Sequence, residues 1–250
     1  VPLIALAAWL AAAAAPPATC SILVYHRFGP SAADSMTTTT AVLEQQLAAL
    51  PAHGYRIVPV ADLLAVLRQK VPPPASLVAL TVDDGHVSVF TELAPLLRRM
   101  PVPVTLFIYP SAIGNASYAM TWDQLRVVAA QPAVEVGAHT YWHPDFRRER
   151  NRLGADAFAA FAAAQLTRPR ALLHDKLGIE ARYLAWPYGI QDEALQRQAQ
   201  ASGYTAAFAL GERHASTADN VFALPRFLIT DAVGVRGLLA RLAGGPACVP

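Results

Sequence analysis

Two adjacent carboxylates close an apolar run. Leu77 to Val82 reads as a buried strand, and Asp83, Asp84 and Gly85 end it with a turn. Adjacent side chains on extended backbone point to opposite sides, so a site needing one acid would not ordinarily place two here. Such a pair can give one carboxylate to a metal ion and leave its neighbour free as a base. The alternative is a solvated Asp-Asp-Gly turn, since both residue types are ordinary in turns. A second string, Gly137-Ala138-His139-Thr140-Tyr141-Trp142-His143-Pro144, follows another apolar run. On a helix, His-x-x-x-His would put both imidazoles on one face. Pro144 and the lack of a helical period instead put this pair in a loop at a strand's end. With a strand-end Asp, the two histidines make a His₂-carboxylate set that leaves positions open for water, as catalytic zinc or iron requires. A third string, Ala185-Trp186-Pro187-Tyr188-Gly189, is a turn that could aim the Tyr188 backbone N–H into a pocket as an oxyanion donor, or simply pack aromatics over the core. Tyr25-His26-Arg27-Phe28 ends the first strand and puts His26 on the same rim, where a hydrogen-bonded structural histidine is the plainer reading.

The elements that must position these residues alternate along the chain. Strands are expected at Ser21 to Tyr25, Arg56 to Val58, Leu77 to Val82, Val104 to Tyr109, Val134 to Gly137, Tyr183 to Ala185 and Ala206 to Ala209. Between them lie helical patterns: one after a Thr-rich cap at Thr37 to Thr40, with Leu43, Leu47 and Leu50 on one face, then Ala61 to Arg68, Phe90 to Arg99, Trp122 to Ala130, a long Ala155 to Leu177 stretch broken or kinked at Pro169, and Asp192 to Ser202. A last helix is expected from Val233 to Leu242. Strands separated by single helices imply parallel pairing with right-handed crossovers, and about seven such units in this length fit a single distorted barrel. In such barrels the reacting groups sit on the loops that follow the strands, where all four strings above fall.

Composition narrows the class. The chain has 250 residues, 54% of them hydrophobic and only 15% charged, so a large buried core is expected. A net charge of +2, evenly spread, gives no argument for nucleic acid. The densest basic cluster, Arg147, Arg148, Arg150 and Arg152, reads as a solvated face. Residues 1–18 open with an uncharged apolar stretch, Val1 to Ala15, that resembles the hydrophobic region of an export signal and is shorter than the roughly 20 residues a membrane span needs. An exported location, with membrane association through this segment, is the expectation. Cys20 and Cys248 sit in no metal-ligand spacing and read as structural or incidental, with a disulfide permitted by export.

The three motif strings, in this order, resemble the polysaccharide deacetylase family, also called carbohydrate esterase family 4 or the NodB homology domain. The resemblance runs from Tyr25-His26 through Leu224-Pro225-Arg226-Phe227 and includes Val104-Thr105-Leu106-Phe107-Ile108 and Thr121-Trp122. It implies a distorted (β/α)₇ barrel over residues 20–250, holding one divalent metal ion, most often zinc. It implies Asp84, His139 and His143 as metal ligands, Asp83 as general base, the Tyr188 N–H as oxyanion donor, and His26, Tyr141, Trp186 and Pro187 as substrate contacts. Many members carry an Arg where this chain has Ala185, and Arg226 is the candidate replacement. The late Leu-x-x-His that often supplies the general acid is missing, and neither His174 nor His214 is well placed to stand in. The Ala-aromatic-Pro-Tyr-Gly and His-Thr-Tyr variants resemble the biofilm-type enzymes acting on poly-β-1,6-N-acetylglucosamine. The implied activity is removal of N-acetyl groups from an exported N-acetylglucosamine polymer. The alternatives are an O-acetyl esterase on xylan or another glycan, and a catalytically weak carbohydrate-binding relative.

Overall fold

A computed structural model of the chain describes residues 18–249. The expected signal-like segment lies almost wholly outside them. Among the described residues, no helix is long and apolar enough to cross a membrane.

An eight-stranded, all-parallel sheet organises the molecule. Its central strand is β5 (Ser76–Asp84), flanked by β1 (Cys20–Tyr25) on one side and on the other by β4 (Tyr55–Ile57) and then β6 (Val104–Ile108). The sheet continues through β7 (Val134–Ala138), β8 (Tyr183–Ala185) and β9 (Ala206–Phe208), while β10 (Phe227–Leu228) pairs with the free edge of β1. Two short strands, β2 (Arg27–Gly29) and β3 (Thr37–Thr39), pair separately beside the rim. The barrel closes irregularly. The segment preceding β10 hydrogen-bonds to β9 (Ala207 N–H to the Val221 carbonyl, Ala209 N–H to the Leu224 carbonyl) and then crosses to β1. This two-residue strand has no sequence signal of its own, and it carries Arg226 inward.

Strand β5 is apolar without interruption because both of its faces are covered. Val78, Leu80 and Val82 join the cluster beneath the outer helices, and Leu77 and Ala79 join a second cluster inside the barrel. Alternation therefore points Thr81 and Asp83 inward as well. The outer layer holds α1 (Thr40–Ala52), a π turn (Val89–Leu93) running into α3 (Ala94–Arg99), α4 (Trp122–Ala129), α5 (Phe146–Arg152), α6 (Ala155–Leu177), α7 (Glu193–Ala201) and α8 (Gly234–Leu242). Helix α2 (Val60–Gln69) is the exception: its Val60, Leu63, Leu64 and Leu67 pack with Ile22, Ala79, Phe107 and Phe208 in the interior. Arg68 fastens its end to the Thr205 carbonyl at 2.8 Å.

The start of α1 is capped from the Thr-rich string as expected, and α4 has a cap that the sequence reading does not name. Thr39 accepts from the Val42 N–H, and Thr121 and Gln124 form a reciprocal capping box. The expected break at Pro169 does not occur. Helix α6 runs through it, with Leu166, Pro169 and Leu173 buried on one face, so packing outweighs the one lost hydrogen bond. The basic cluster forms α5, a helix that the sequence does not announce because Phe146 is its one large apolar residue. Asp145 caps it, and Glu149, 7% exposed, pairs with the exposed Arg152.

At the strands' N-terminal ends Cys20 and Cys248 form a disulfide, with Cα atoms 5.0 Å apart. Neither sulfur is incidental. Cys20 also accepts the Ala215 N–H through its carbonyl, and His214 Nδ1 lies 2.8 Å from the Ser21 hydroxyl.

Candidate metal and catalytic site

Asp83 is the inward-facing end of β5 and 2% exposed. Arg226 meets it with a two-pronged contact, Nη1 to Oδ1 at 2.8 Å and Nη2 to Oδ2 at 2.7 Å. The rest of the guanidinium is also engaged: Nη1 donates to the Thr81 hydroxyl at 3.0 Å and Nε to the Ala209 carbonyl at 3.1 Å. A fully buried Arg with its fork filled in this way is rigid and oriented. Burial works to raise the Asp83 carboxyl, but the Arg226 charge and hydrogen bonds outweigh it and hold the pKa down at about 2.

Asp84 should point away from Asp83, yet both line one cleft. The reason is a backbone φ of 77° at Asp84, which takes it out of the extended region, with Gly85 at φ 83° completing the turn. Left-handed φ recurs around the site. Of the six non-glycine residues with positive φ among the described residues, four are here: Asp84, Thr140, His143 and Tyr188. Each such residue costs of order 1–3 kcal/mol, so the rim is held against its local preference by the surrounding fold.

His139 and His143 follow β7 in a loop. His139 Nδ1 lies 2.8 Å from the Ala185 carbonyl, which fixes it as the protonated nitrogen and leaves the Nε2 lone pair facing the acids. The Ala185 position therefore serves the site through its backbone. The loop is pinned by Gln165 of α6, whose side-chain oxygen accepts from the N–H groups of Tyr141 (3.2 Å) and Trp142 (3.1 Å), and by the Thr140 hydroxyl, which accepts from the His143 N–H. Burial pushes both imidazoles down, His139 to about 3, so both are neutral at pH 7, the form that ligates metal.

The ligating atoms converge. Asp84 Oδ1 is 3.6 Å from His139 Nε2 and 3.7 Å from His143 Nε2, and all three lie within 4.8 Å of one another. Donors on a tetrahedron of zinc-like radius are separated by about 3.4 Å. These contacts are longer than hydrogen bonds and are arranged around a shared point rather than paired. The donor set and the fixed tautomer fit a divalent ion with positions left for water. Asp83 Oδ2, at 3.7 Å from His139 Nε2, stands beside the set.

The cleft above these atoms has a volume of 440 Å³. His26 and Trp186 line it, as does Tyr188, whose ring edge meets His143 at 4.7 Å. Two expected substrate contacts are not brought there. Pro187 is buried in the turn, and Tyr141 lies under the Arg168 guanidinium at 3.7 Å, because left-handed Thr140 turns the chain outward. Sequence reasoning missed Tyr109, which touches both histidine rings (6.4 and 5.4 Å), and with it Tyr118, Met36, Leu210 and the positioning Gln165. Gln165 left one signal, a polar residue within an otherwise Ala- and Leu-rich helix face. Of the two late histidines, His174 is exposed on α6 and His214 is buried at the other end of the barrel. A larger cavity, 670 Å³, opens at the starts of β6 and β7. It contains none of these residues, so chemistry rather than size selects the cleft.

Comparison with known proteins agrees with this geometry. The family model described as Polysaccharide deacetylase matches residues 70–207, more than half of the chain. The chain is 26% identical over 243 residues to a poly-β-1,6-N-acetyl-D-glucosamine N-deacetylase of Escherichia coli (strain K12), covering 83% of this chain and 36% of that protein. It thus spans about a third of the length of the curated relatives it matches first. Among solved structures it resembles the Streptococcus pyogenes deacetylase PplD in complex with acetate (TM-score 0.79, 19% identity, 91% of this chain and 100% of that one). It also resembles IcaB from Ammonifex degensii (TM-score 0.76, 25% identity, 92% and 99%).

Proposed function

The chain belongs to the polysaccharide deacetylase family, and from that premise we propose that it is a metal-dependent hydrolase removing N-acetyl groups from an N-acetylglucosamine polymer. One observation carries the reading: a buried, ionised carboxylate clamped by Arg226 beside three converging metal-ligand atoms. Binding a sugar requires no such base, whereas hydrolysis does.

Asp84, His139 and His143 would hold the ion, and an oxygen–nitrogen donor set with neutral imidazoles favours zinc. When bound, it supplies polarisation of the acetamide carbonyl and a water whose pKa falls from about 15.7 towards 7. Asp83 is placed to take the proton from the attacking water. With a pKa of about 2 it is a weak base but is ionised at every working pH, and Arg226 keeps its oxygens aimed while stabilising its charge. The Tyr188 N–H, presented by a left-handed residue at φ 57°, donates to the oxygen that becomes negative as water adds to the carbonyl. The C–N bond then breaks, releasing acetate and a free amine. His26 and Trp186 form the wall that receives the sugar.

The substrate follows from the relatives, whose names specify poly-β-1,6-N-acetyl-D-glucosamine. The Cys20–Cys248 disulfide supports action outside the reducing cytosol. Among the described residues no late histidine faces the cleft, which favours a second reading, an O-acetyl esterase, because an alkoxide leaves with less need of a proton than an amine. Acetate release from N-acetylglucosamine oligomers and from acetylated xylan, each with and without EDTA, tests both. Chelator-sensitive release from the amide substrate is expected. Release that ignores EDTA would sink the metal mechanism, and release from xylan alone would establish the esterase.

A further inference from the structure

We propose that Tyr118 is the platform on which the enzyme seats the sugar unit next to the one losing its acetyl group, so that Tyr118 sets a preference for chains over single sugars. The inference rests on the deacetylase reading and concerns a residue outside the three motif strings.

The argument begins with an exposed ring that is not free to move. Tyr118 leaves 47% of its surface open, yet it is held at three points. Its hydroxyl lies 2.8 Å from the Tyr109 hydroxyl, and its carbonyl accepts the Val87 N–H at 2.8 Å. Its ring lies nearly parallel to His86, at 11° with centroids 6.4 Å apart. His86 is itself fixed, with Nδ1 2.8 Å from the Ser88 hydroxyl, which in turn accepts the Phe28 N–H. A tyrosine serving the core would bury its ring, and a solvated one would need no such support. An apolar face held rigid in water is preorganised for a ligand, because little side-chain entropy remains to be lost on binding.

Placement says which ligand. Tyr118 belongs to the connection after β6 and leans towards the loop after β5, while Tyr188 stands after β8. Strand β7, which leads to both histidine ligands, lies between β6 and β8 in sheet order, and both tyrosines line the cleft with the whole metal-ligand set. An acetamide placed on the set therefore leaves an aromatic face on either side. The C–H face of a pyranose is the natural partner of an aromatic ring, whose quadrupole is negative on its face. The neighbouring unit of the same chain is what reaches Tyr118.

The test compares chain lengths. For Tyr118→Ala, the ratio of kcat/KM on an N-acetylglucosamine pentamer to kcat/KM on the monomer should fall about tenfold, carried mainly by KM. Tyr118→Phe keeps the ring, loses only the bond to Tyr109, and should keep the ratio. A loss shared equally by monomer and pentamer would assign Tyr118 a structural role and overturn the proposal. Calorimetric binding of the pentamer to Asp83→Asn protein, with and without Tyr118→Ala, reads the same contact without turnover, and Kd should rise about tenfold. An unchanged Kd overturns it. If the wild type releases no acetate but Tyr118→Ala still weakens binding, the deacetylase reading falls and the platform stands. If the pentamer neither binds nor reacts, both fall.

Discussion

The two ends of the barrel are built on opposite terms. At the strands' C-terminal ends, four residues adopt left-handed backbone, two carboxylates lie side by side, and Arg226 is buried to steady one of them. At the N-terminal ends, the Cys20–Cys248 disulfide, the Ser21–His214 hydrogen bond and the C-terminal segment against the Ala18 carbonyl tie the chain ends together. The upper end spends stability to hold reactive groups where local preference would not put them. The lower end supplies stability and, among the described residues, holds none of the groups placed in the chemistry. A change at the top should therefore cost activity out of proportion to stability, and a change at the bottom the reverse.

The steepest break of this contrast is Asp83→Asn, which keeps the shape and one accepting oxygen for Arg226 but not the base. We expect kcat to fall by about 10²–10⁴-fold with metal content retained, measured by acetate release and elemental analysis. Full activity would remove Asp83 from the chemistry. Asp84→Ala should instead lose both the metal and turnover. Arg226→Met straddles the two kinds of effect. It leaves Asp83 buried and unpaired, a change of about 3–5 kcal/mol in urea unfolding. With the guanidinium gone, burial is no longer outweighed and the carboxyl rises from about 2. Because Asp83 works ionised, the acid limb of kcat must then move to higher pH. In the wild type the pair's contribution to stability is present above the ordinary Asp value of 3.8 and fades as pH falls through about 2.

The same contrast marks what the sequence could reveal. Asp83, Asp84, His139 and His143 are legible because each pair sits in a short string at the end of an apolar run, and strand ends in such a barrel share a rim. Arg226 is 143 residues from Asp83 and could be named only as a candidate, since the contact depends on an irregular segment crossing from β9 to β1. Tyr141 shows the opposite failure. It lies within the histidine string, but one left-handed residue, Thr140, places it under Arg168 and away from the cleft. Tyr118 and Gln165 depend on a loop path and on helix docking, which no local pattern encodes, whereas Tyr109 closes the strand expected from Val104 and is open to the same reading as the acids. At the bottom, the two cysteines could be counted but not paired.

Removing that pairing breaks the comparison from the other side. The disulfide closes a loop spanning 228 residues of sequence, so Cys20→Ser with Cys248→Ser should lower unfolding stability by about 2–5 kcal/mol. Acetate release by the folded variant at 25 °C should match the wild type. Thermal unfolding with and without reductant gives the same answer without mutation, since only the wild type should respond. A large loss of turnover in the folded variant would mean that the lower end shapes the site, and the division of labour would fail.

The smallest effect sharpens the contrast by pH. His214 is 3% exposed and neutral, and burial pushes its pKa below 6.5. A histidine buried neutral binds its proton more readily in the unfolded chain, so its contribution is complete above about pH 6.5 and declines as pH falls through that value. The decline cannot exceed about 1.4 kcal/mol per pH unit for one group. His139, held down to about 3, follows the same sign, and a bound ion keeps its share, because a ligated imidazole does not take the proton whereas the unfolded chain's imidazole does. The difference in slope between pH 7 and pH 5 of wild type and His214→Gln, both metal-loaded, therefore isolates the lower end, because the site histidines contribute equally to each. His214→Gln should flatten that slope while leaving the acid limb of kcat in place. If instead the acid limb moves, His214 reaches the cleft electrostatically and the two ends are coupled.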